Sequence, residues 1–200
     1  MEKSNVDEVK SEERIKEILE SKDIVKFSFD TNVMFAYLKQ KDTFHLEAKT
    51  AIDGLVLKNV YFVVPYFILG EFIAHRKLLG KNFSVRKAIQ EYAKFEAKLK
   101  NRIIGGEPLT IETILRFYRN CSRHRKFLDL SFSDFVILSL LGEIKNVRIL
   151  TCDKKMKRCG ESRFKNCIYY LPSHTKGLKS DYPKLMSEIQ SDFGARFSKK

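Results

Sequence analysis

No apolar run in this 200-residue sequence reaches the roughly 20 residues that are needed to span a bilayer. The first eight residues, Met-Glu-Lys-Ser-Asn-Val-Asp-Glu, contain no apolar stretch of the kind found in secretory signals. These two absences argue against a membrane protein and against a secreted one. We therefore expect a cytoplasmic protein that has no membrane partner.

Paired cysteines are also missing from the sequence. None of the four cysteines stands in a Cys-x-x-Cys pair or at zinc-finger spacing from a histidine, and no His-Glu-x-x-His pattern occurs. In a cytosolic protein such cysteines are usually reduced and pack as small apolar groups. We therefore expect neither a structural zinc site nor a disulfide.

Negative charge is scarce relative to positive charge. The chain carries 38 Lys and Arg against 25 Asp and Glu, which gives a formal net charge of +13. Residues 72–126 alone contain 14 Lys or Arg against 4 Glu, a net charge of +10. A solvated helix face is usually balanced in sign, whereas an imbalance of this size favours a polyanionic partner such as the phosphate backbone of a nucleic acid.

The length suits one domain with an additional segment. The sequence is 44% hydrophobic and contains 16 Phe, which is enough for a substantial core. Val25, Phe27 and Phe29 alternate with Lys26 and Ser28, which predicts a strand with one buried face. Three further strands are predicted in apolar runs at residues 60–65, 147–152 and 167–172. Helical patterns separate these runs, so we expect an α/β fold with helices on both faces of a mostly parallel sheet.

Four acidic residues occur at the places where such a fold positions its ligands. Asp30 and Asp153 directly follow predicted strands, while Glu71 and Asp134 lie near the starts of apolar helices. Because the carboxyl ends of parallel strands and the starts of the following helices share one sheet edge, these four side chains are expected to converge.

Each acid also has a purely structural interpretation. Asp30 is a preferred residue type for capping the next helix, and Asp134 in a first helical turn interacts favourably with the helix dipole. Glu71 could lie on a solvated helix face, but its strongly apolar neighbours make that face narrow, and a buried carboxylate is costly unless it is paired or metal-bound. Four converging carboxylates repel one another, and a hard divalent cation such as Mg²⁺ or Mn²⁺ removes that repulsion. With the basic flank, this pattern predicts metal-dependent hydrolysis of phosphodiester bonds.

The same residues resemble the acidic motifs of the PIN-domain ribonucleases. The motifs are Phe29-Asp30-Thr31-Asn32-Val33, Glu71 within its helix, Ser133-Asp134-Phe135-Val136-Ile137 and Leu150-Thr151-Cys152-Asp153. Their order and spacing match from about Val25 to Leu171. An aromatic residue often follows the last acid in this family, whereas this chain has Lys154-Lys155-Met156, a departure that affects packing more than chemistry.

The resemblance implies a Rossmann-like three-layer fold and endonucleolytic cleavage of RNA that depends on Mg²⁺ or Mn²⁺. It places Asp30, Glu71, Asp134 and Asp153 in the metal site, with Thr31, Asn32, Ser133 and Thr151 as polar supports. The family includes toxins of toxin–antitoxin pairs and many homodimers, so an antitoxin protein and a second copy of the chain are expected partners besides RNA. Basic side chains expected to contact RNA are Arg76, Lys77, Arg119, Arg123, Arg125, Lys126, Lys154 and Lys155.

The expected organisation is a leader helix or flexible extension (1–22), a PIN-like nuclease domain (23–173) and a basic tail with a short helix (174–200). Residues 83–126 are expected to form a basic helical insertion that clamps RNA.

Three other functions compete with this one. A non-catalytic PIN-fold module that binds RNA or protein is compatible with the charge, although all four acids are present. A phosphatase of the haloacid dehalogenase type uses a second acid, its general acid, at the position where this chain has Asn32. The chain would therefore lack that general acid. A nucleotide-binding Rossmann protein is disfavoured because neither Gly-x-Gly-x-x-Gly after Phe29 nor a Walker A sequence occurs.

Overall fold

The computed structural model describes residues 12–58, 60–99, 102–106, 109–121, 127, 130–164, 167–171 and 187. Its helices are α1 (12–20), α2 (Thr31–Leu38), α3 (His45–Leu57), α4 (Tyr66–Ala74), α5 (Val85–Lys98), α6 (Ile111–Cys121), α7 (Phe132–Glu143) and α8 (Lys154–Glu161). Its strands are β1 (Lys26–Phe29), β2 (Tyr61–Pro65), β3 (Ile103–Gly106), β4 (Val147–Thr151) and β5 (Ile168–Tyr170). A 3-10 turn, Arg76–Leu78, follows α4.

The five strands form one parallel sheet in the order β3-β2-β1-β4-β5, which confirms the predicted α/β class. Helices α2 to α5 pack with Phe62 and Val64 on one face of the sheet. The intervening Val63 points to the opposite face and packs with α1, α6 and α7. This alternation along β2 is consistent with a Rossmann-like three-layer arrangement. None of the helices described combines the length and apolar character that crossing a membrane requires.

The 83–126 region, predicted to be helical, contains a strand between helices α5 and α6. Gly105 and Gly106 end this strand, β3, which pairs with β2 through Val63↔Ile104 and Val64↔Gly105. Two glycines at the end of a four-residue strand give little local strand propensity, so pairing with β2 decides its structure. Of the other predicted segments, residues 1–11 and, apart from residue 187, the tail 174–200 lie outside the described residues.

Strand β1 is buried on both faces, whereas its alternating pattern predicted one buried face. Lys26 is fully buried. Its Nζ donates to the backbone carbonyls of Ile18 at 2.8 Å, Ser21 at 2.7 Å and Ile24 at 2.9 Å. The lysine therefore satisfies carbonyls at the end of α1 and fixes that helix against the sheet.

Replacing Lys26 by Met is expected to lower the free energy of unfolding by about 2 kcal/mol, because three carbonyls lose their donor. Burial lowers the pKa of Lys26 to about 8 from 10.5. Between these two values the unfolded chain binds more protons than the folded one, so the stability of the native protein relative to Lys26→Met should rise with pH. Denaturant titrations at pH 7 and pH 10 check both statements, with the exposed Lys22→Met as control. Equal stability of native protein and Lys26→Met would contradict the assigned role.

Two helical glycines differ in the space around them. An added Cβ at Gly160 in α8 would lie 1.8 Å from Ile168 Cδ1 and 2.9 Å from Leu138 Cδ2, whereas at Gly70 in α4 it meets no atom within 4 Å. Gly160→Ala is therefore expected to destabilise the fold by about 1–2 kcal/mol through overpacking. Gly70→Ala should stabilise it by about 0.5–1 kcal/mol through helix propensity. Thermal unfolding of the two variants measures the difference, and shifts of the same sign in both would contradict this packing.

Candidate active site at the carboxyl edge of the sheet

Asp30 lies at the carboxyl end of β1, where it caps helix α2. Its Oδ1 accepts from the Val33 backbone N–H at 2.8 Å. Its Oδ2 accepts from the hydroxyl of Thr151, the last residue of the neighbouring strand β4. Asp30 is only 3% exposed, so a carboxylate has been placed in the interior between two central strands.

Burial raises the pKa of Asp30 to about 7, and the negative charges of Asp134 and Asp153 act in the same direction. The hydrogen bonds from Thr151 and Val33 oppose this rise because they favour the charged form. The carboxyl group is thus held in a region where other acids make its ionisation costly.

Asp153 occupies the equivalent position after β4 and caps helix α8. Its Oδ1 accepts from the Lys155 backbone N–H at 2.6 Å. The Asp153 backbone N–H donates to Thr151 Oγ1 at 2.8 Å. Thr151 therefore connects the two strand-end acids, since its hydroxyl donates to Asp30 and accepts from Asp153.

Glu71 reaches the same edge from α4, the helix that directly follows β2. Its Oε2 accepts from the hydroxyl of Thr31 in the first turn of α2. The residue is half-buried. This contact across 40 positions of sequence joins the α4 acid to the segment that carries Asp30.

Asp134 lies in the first turn of α7, in a capping box with Ser131. Its Oδ2 accepts from the Ser131 hydroxyl at 2.8 Å and from the Ser131 backbone N–H at 3.0 Å. Partial burial raises the pKa of Asp134, and the charges of Asp153 and Glu71 raise it further. The charges of Asp134 and each of the three other acids therefore affect one another.

The polar supports are only partly as expected. Thr31 and Thr151 hold Glu71 and Asp30. Ser131, rather than Ser133, hydrogen-bonds Asp134, because Ser131 is the N-cap and Ser133 is already inside the helix. The sequence offers both Ser131 and Ser133 as caps of this helix, and the [ST]-x-x-[DE] spacing of a capping box favours Ser131. Asn32 is exposed and makes no side-chain hydrogen bond with the described residues; it lines a neighbouring cleft.

Each of the four acids has one or both oxygens occupied by hydrogen bonds. Glu71 Oε1, Asp134 Oδ1 and Asp153 Oδ2 accept no hydrogen bond from the described part of the chain. Over the same residues, no three His, Cys, Asp or Glu side chains are arranged as a ready ligand set for a metal ion. The donors are hard oxygen ligands suited to Mg²⁺ or Mn²⁺, and enclosing a cation requires these side chains to turn toward one another.

Five of the eight predicted RNA contacts lie among the described residues. Lys154 and Lys155 begin α8 beside Asp153, and both are exposed. Arg76 and Lys77 form the turn after α4, and Arg119 is exposed near the end of α6. The remaining three, Arg123, Arg125 and Lys126, lie outside the described residues.

The chain was compared with known proteins. No family model matches it, and no curated protein does either. The function is therefore inferred from the motifs and from the geometry of this sheet edge.

Proposed function

We propose that this protein is a metal-dependent endoribonuclease that hydrolyses RNA phosphodiester bonds at the Asp30, Glu71, Asp134 and Asp153 cluster. The observation that carries the proposal is the convergence of four acids from distant parts of the chain at the carboxyl edge of the sheet. Four acids that only capped helices or lay on the surface would have no reason to lie close to one another. Thr151 hydrogen-bonds Asp30 and the backbone of Asp153, and Thr31, next to Asp30, holds Glu71. The charge of Asp134 acts on the pKa of Asp30, and the charges of Glu71 and Asp153 act on that of Asp134.

The donor chemistry of the cluster fits Mg²⁺ or Mn²⁺. Glu71, Asp134 and Asp153 each offer a carboxylate oxygen that accepts no hydrogen bond from the described residues. Asp30, whose oxygens are both occupied, supplies negative charge from the interior. A divalent cation held there can activate a water molecule and stabilise the oxyanions of an in-line displacement at phosphorus.

The PIN-like identity of the fold belongs to the same proposal. It is supported by the order of the motifs and by a parallel sheet in which Asp30 and Asp153 follow the adjacent strands β1 and β4. Thr31 and Thr151, both named by the resemblance, hydrogen-bond two of the acids. These contacts are what a catalytic constellation needs for orientation.

RNA as the substrate is supported by the charge of the chain. Lys154 and Lys155 lie directly beside Asp153, and the formal net charge of +13 favours a polyanion. The expected clamp within residues 83–126, the antitoxin partner, the homodimer and the cytoplasmic location all stay predictions.

Cleavage of end-labelled RNA with Mn²⁺, compared with the same reaction in EDTA, tests the proposal. We expect endonucleolytic fragments with Mn²⁺ and none in EDTA, because a carboxylate cluster alone does not activate water. A phosphomonoester such as p-nitrophenyl phosphate should not be turned over. RNA that binds with a steep salt dependence but stays intact would favour the second candidate, a non-catalytic PIN-fold module.

A further inference from the structure

A cleft of about 530 Å³ opens beside Asp153 and is not explained by the four acids. It lies between α2, the loop that follows it and the start of α8. Phe44, Leu78 and Tyr170 contribute apolar surface, and Asn32 and Asp42 contribute polar groups. Its volume is within the range of sites that bind small organic groups.

We propose that this cleft, called here the base cleft, holds one unpaired RNA base next to the phosphodiester bond at the acid cluster, with Asn32 and Asp42 contacting the edge of the base. The inference rests on the proposed function, because Asp153 belongs both to the acid cluster and to the wall of the cleft. It goes further by assigning residues that decide which nucleotide is accepted.

The charges on the wall favour a neutral group over a phosphate. Lys39 and Lys154 are balanced by Asp42 and Asp153, so the four charged side chains sum to zero. An isolated phosphate gains little from such a wall, whereas basic patches bind it well. A base is uncharged, apolar on its faces and polar at its edge.

The apolar part of the wall matches the faces of a base. Phe44 and Tyr170 are both half-buried and line the cleft, and Lys157 Nζ lies 5.9 Å from the centroid of the Tyr170 ring. Stacking of bases on aromatic side chains is the common mode of single-strand recognition. Leu78 is 54% exposed and extends this apolar surface at the turn after α4.

The polar part of the wall matches a base edge. The exposed Asn32 amide makes no hydrogen bond with the described residues, so it can both donate and accept. Asp42 uses Oδ1 to accept from the Phe44 backbone N–H at 3.0 Å, which leaves Oδ2 as an acceptor. Because a carboxylate accepts only, it favours guanine, whose edge presents two neighbouring donors, N1–H and the exocyclic amino group, over adenine, cytosine and uracil.

Binding of a short labelled single-stranded RNA in EDTA tests the base cleft without requiring cleavage. An abasic nucleotide scanned along the RNA should weaken binding about tenfold at one position, which is the loss expected for one stacked base. Guanine at that position should bind more tightly than adenine, cytosine or uracil. Asn32→Ala should reduce this preference while its thermal unfolding stays unchanged.

Two exposed leucines provide a matched pair of variants. Leu78→Glu places a negative charge in the base cleft and should weaken RNA binding about tenfold or more. Leu57→Glu adds the same charge at a leucine that is 75% exposed and is not part of the cleft wall, and it should bind as the native protein does. Equal effects of the two variants, or no abasic position that matters, would overturn the base cleft.

The failures of the two proposals can be told apart. If Mn²⁺ produces no cleavage but binding keeps its dependence on one base, the base cleft stands and the nuclease activity fails. If RNA is cleaved at the same rate whatever base occupies each position, and Leu78→Glu cleaves as fast as Leu57→Glu, the base cleft is overturned and the nuclease stands.

Discussion

Replacing Asp134 by Asn is expected to lower the rate of RNA cleavage by at least about 100-fold, more than the loss usually seen when only a supporting residue of a metal site is changed. Asp134 is the acid whose charge interacts with the other three. Asn keeps the shape and an acceptor oxygen for the Ser131 hydrogen bonds, but it removes the charge that would hold the cation. Single-turnover cleavage with Mn²⁺ measures the loss.

The same variant has an expected outcome that does not depend on activity. In EDTA, Asp134→Asn should unfold at the same or a higher temperature than the native protein, because one source of repulsion is gone. Mn²⁺ at about 100 times its Kd should stabilise the native protein by about 2.7 kcal/mol and the variant far less. Asp23→Asn, an exposed acid before β1, serves as control. Undiminished cleavage by Asp134→Asn would show that another site, or a contaminant, is responsible.

Replacing Thr151 by Val is expected to reduce cleavage or the apparent Mn²⁺ affinity by about 10- to 100-fold, the usual effect of losing a residue that orients metal ligands. The Thr151 hydroxyl donates to Asp30 and accepts the Asp153 backbone N–H. Valine has the same shape without the hydroxyl, so two acids lose their shared partner at once. A Mn²⁺ titration of the cleavage rate measures the effect.

Thr151→Ser is the matched control because it keeps the hydroxyl group. Serine should restore most of the activity, while the valine variant should remain folded with a modest loss of stability. If valine and serine behaved alike, the hydroxyl would have no part in orienting Asp30 and Asp153, and the residue would act only by filling space.

The structural and the functional interpretations of the acids turn out to be compatible. Asp30 and Asp153 both cap helices, as their residue type predicts. A helix that begins at the carboxyl end of a parallel strand has its N-cap at the ligand-binding edge of the sheet. One side chain can therefore offer one oxygen to the helix and its charge or second oxygen to the site.

The sequence by itself determined the α/β class and four of the five strands. Apolar runs such as 60–65 are long enough and apolar enough to form buried strands whatever surrounds them. It also predicted the positions of Asp30, Asp134 and Asp153, because strand ends and helix starts can be located from hydrophobic periodicity. Glu71, expected near the start of a helix, lies instead in the second turn of α4.

Only the tertiary structure decided the remaining features. Strand β3, ending in Gly105 and Gly106, forms because β2 offers it an edge to pair with. Lys26 is buried because α1 covers that face of β1 and residues 18–24 supply three carbonyls, which alternation of residue types cannot reveal. Asn32 lies in the base cleft instead of supporting an acid. In each case the deciding contact joins segments that local sequence does not relate, so the physical reason is long-range packing.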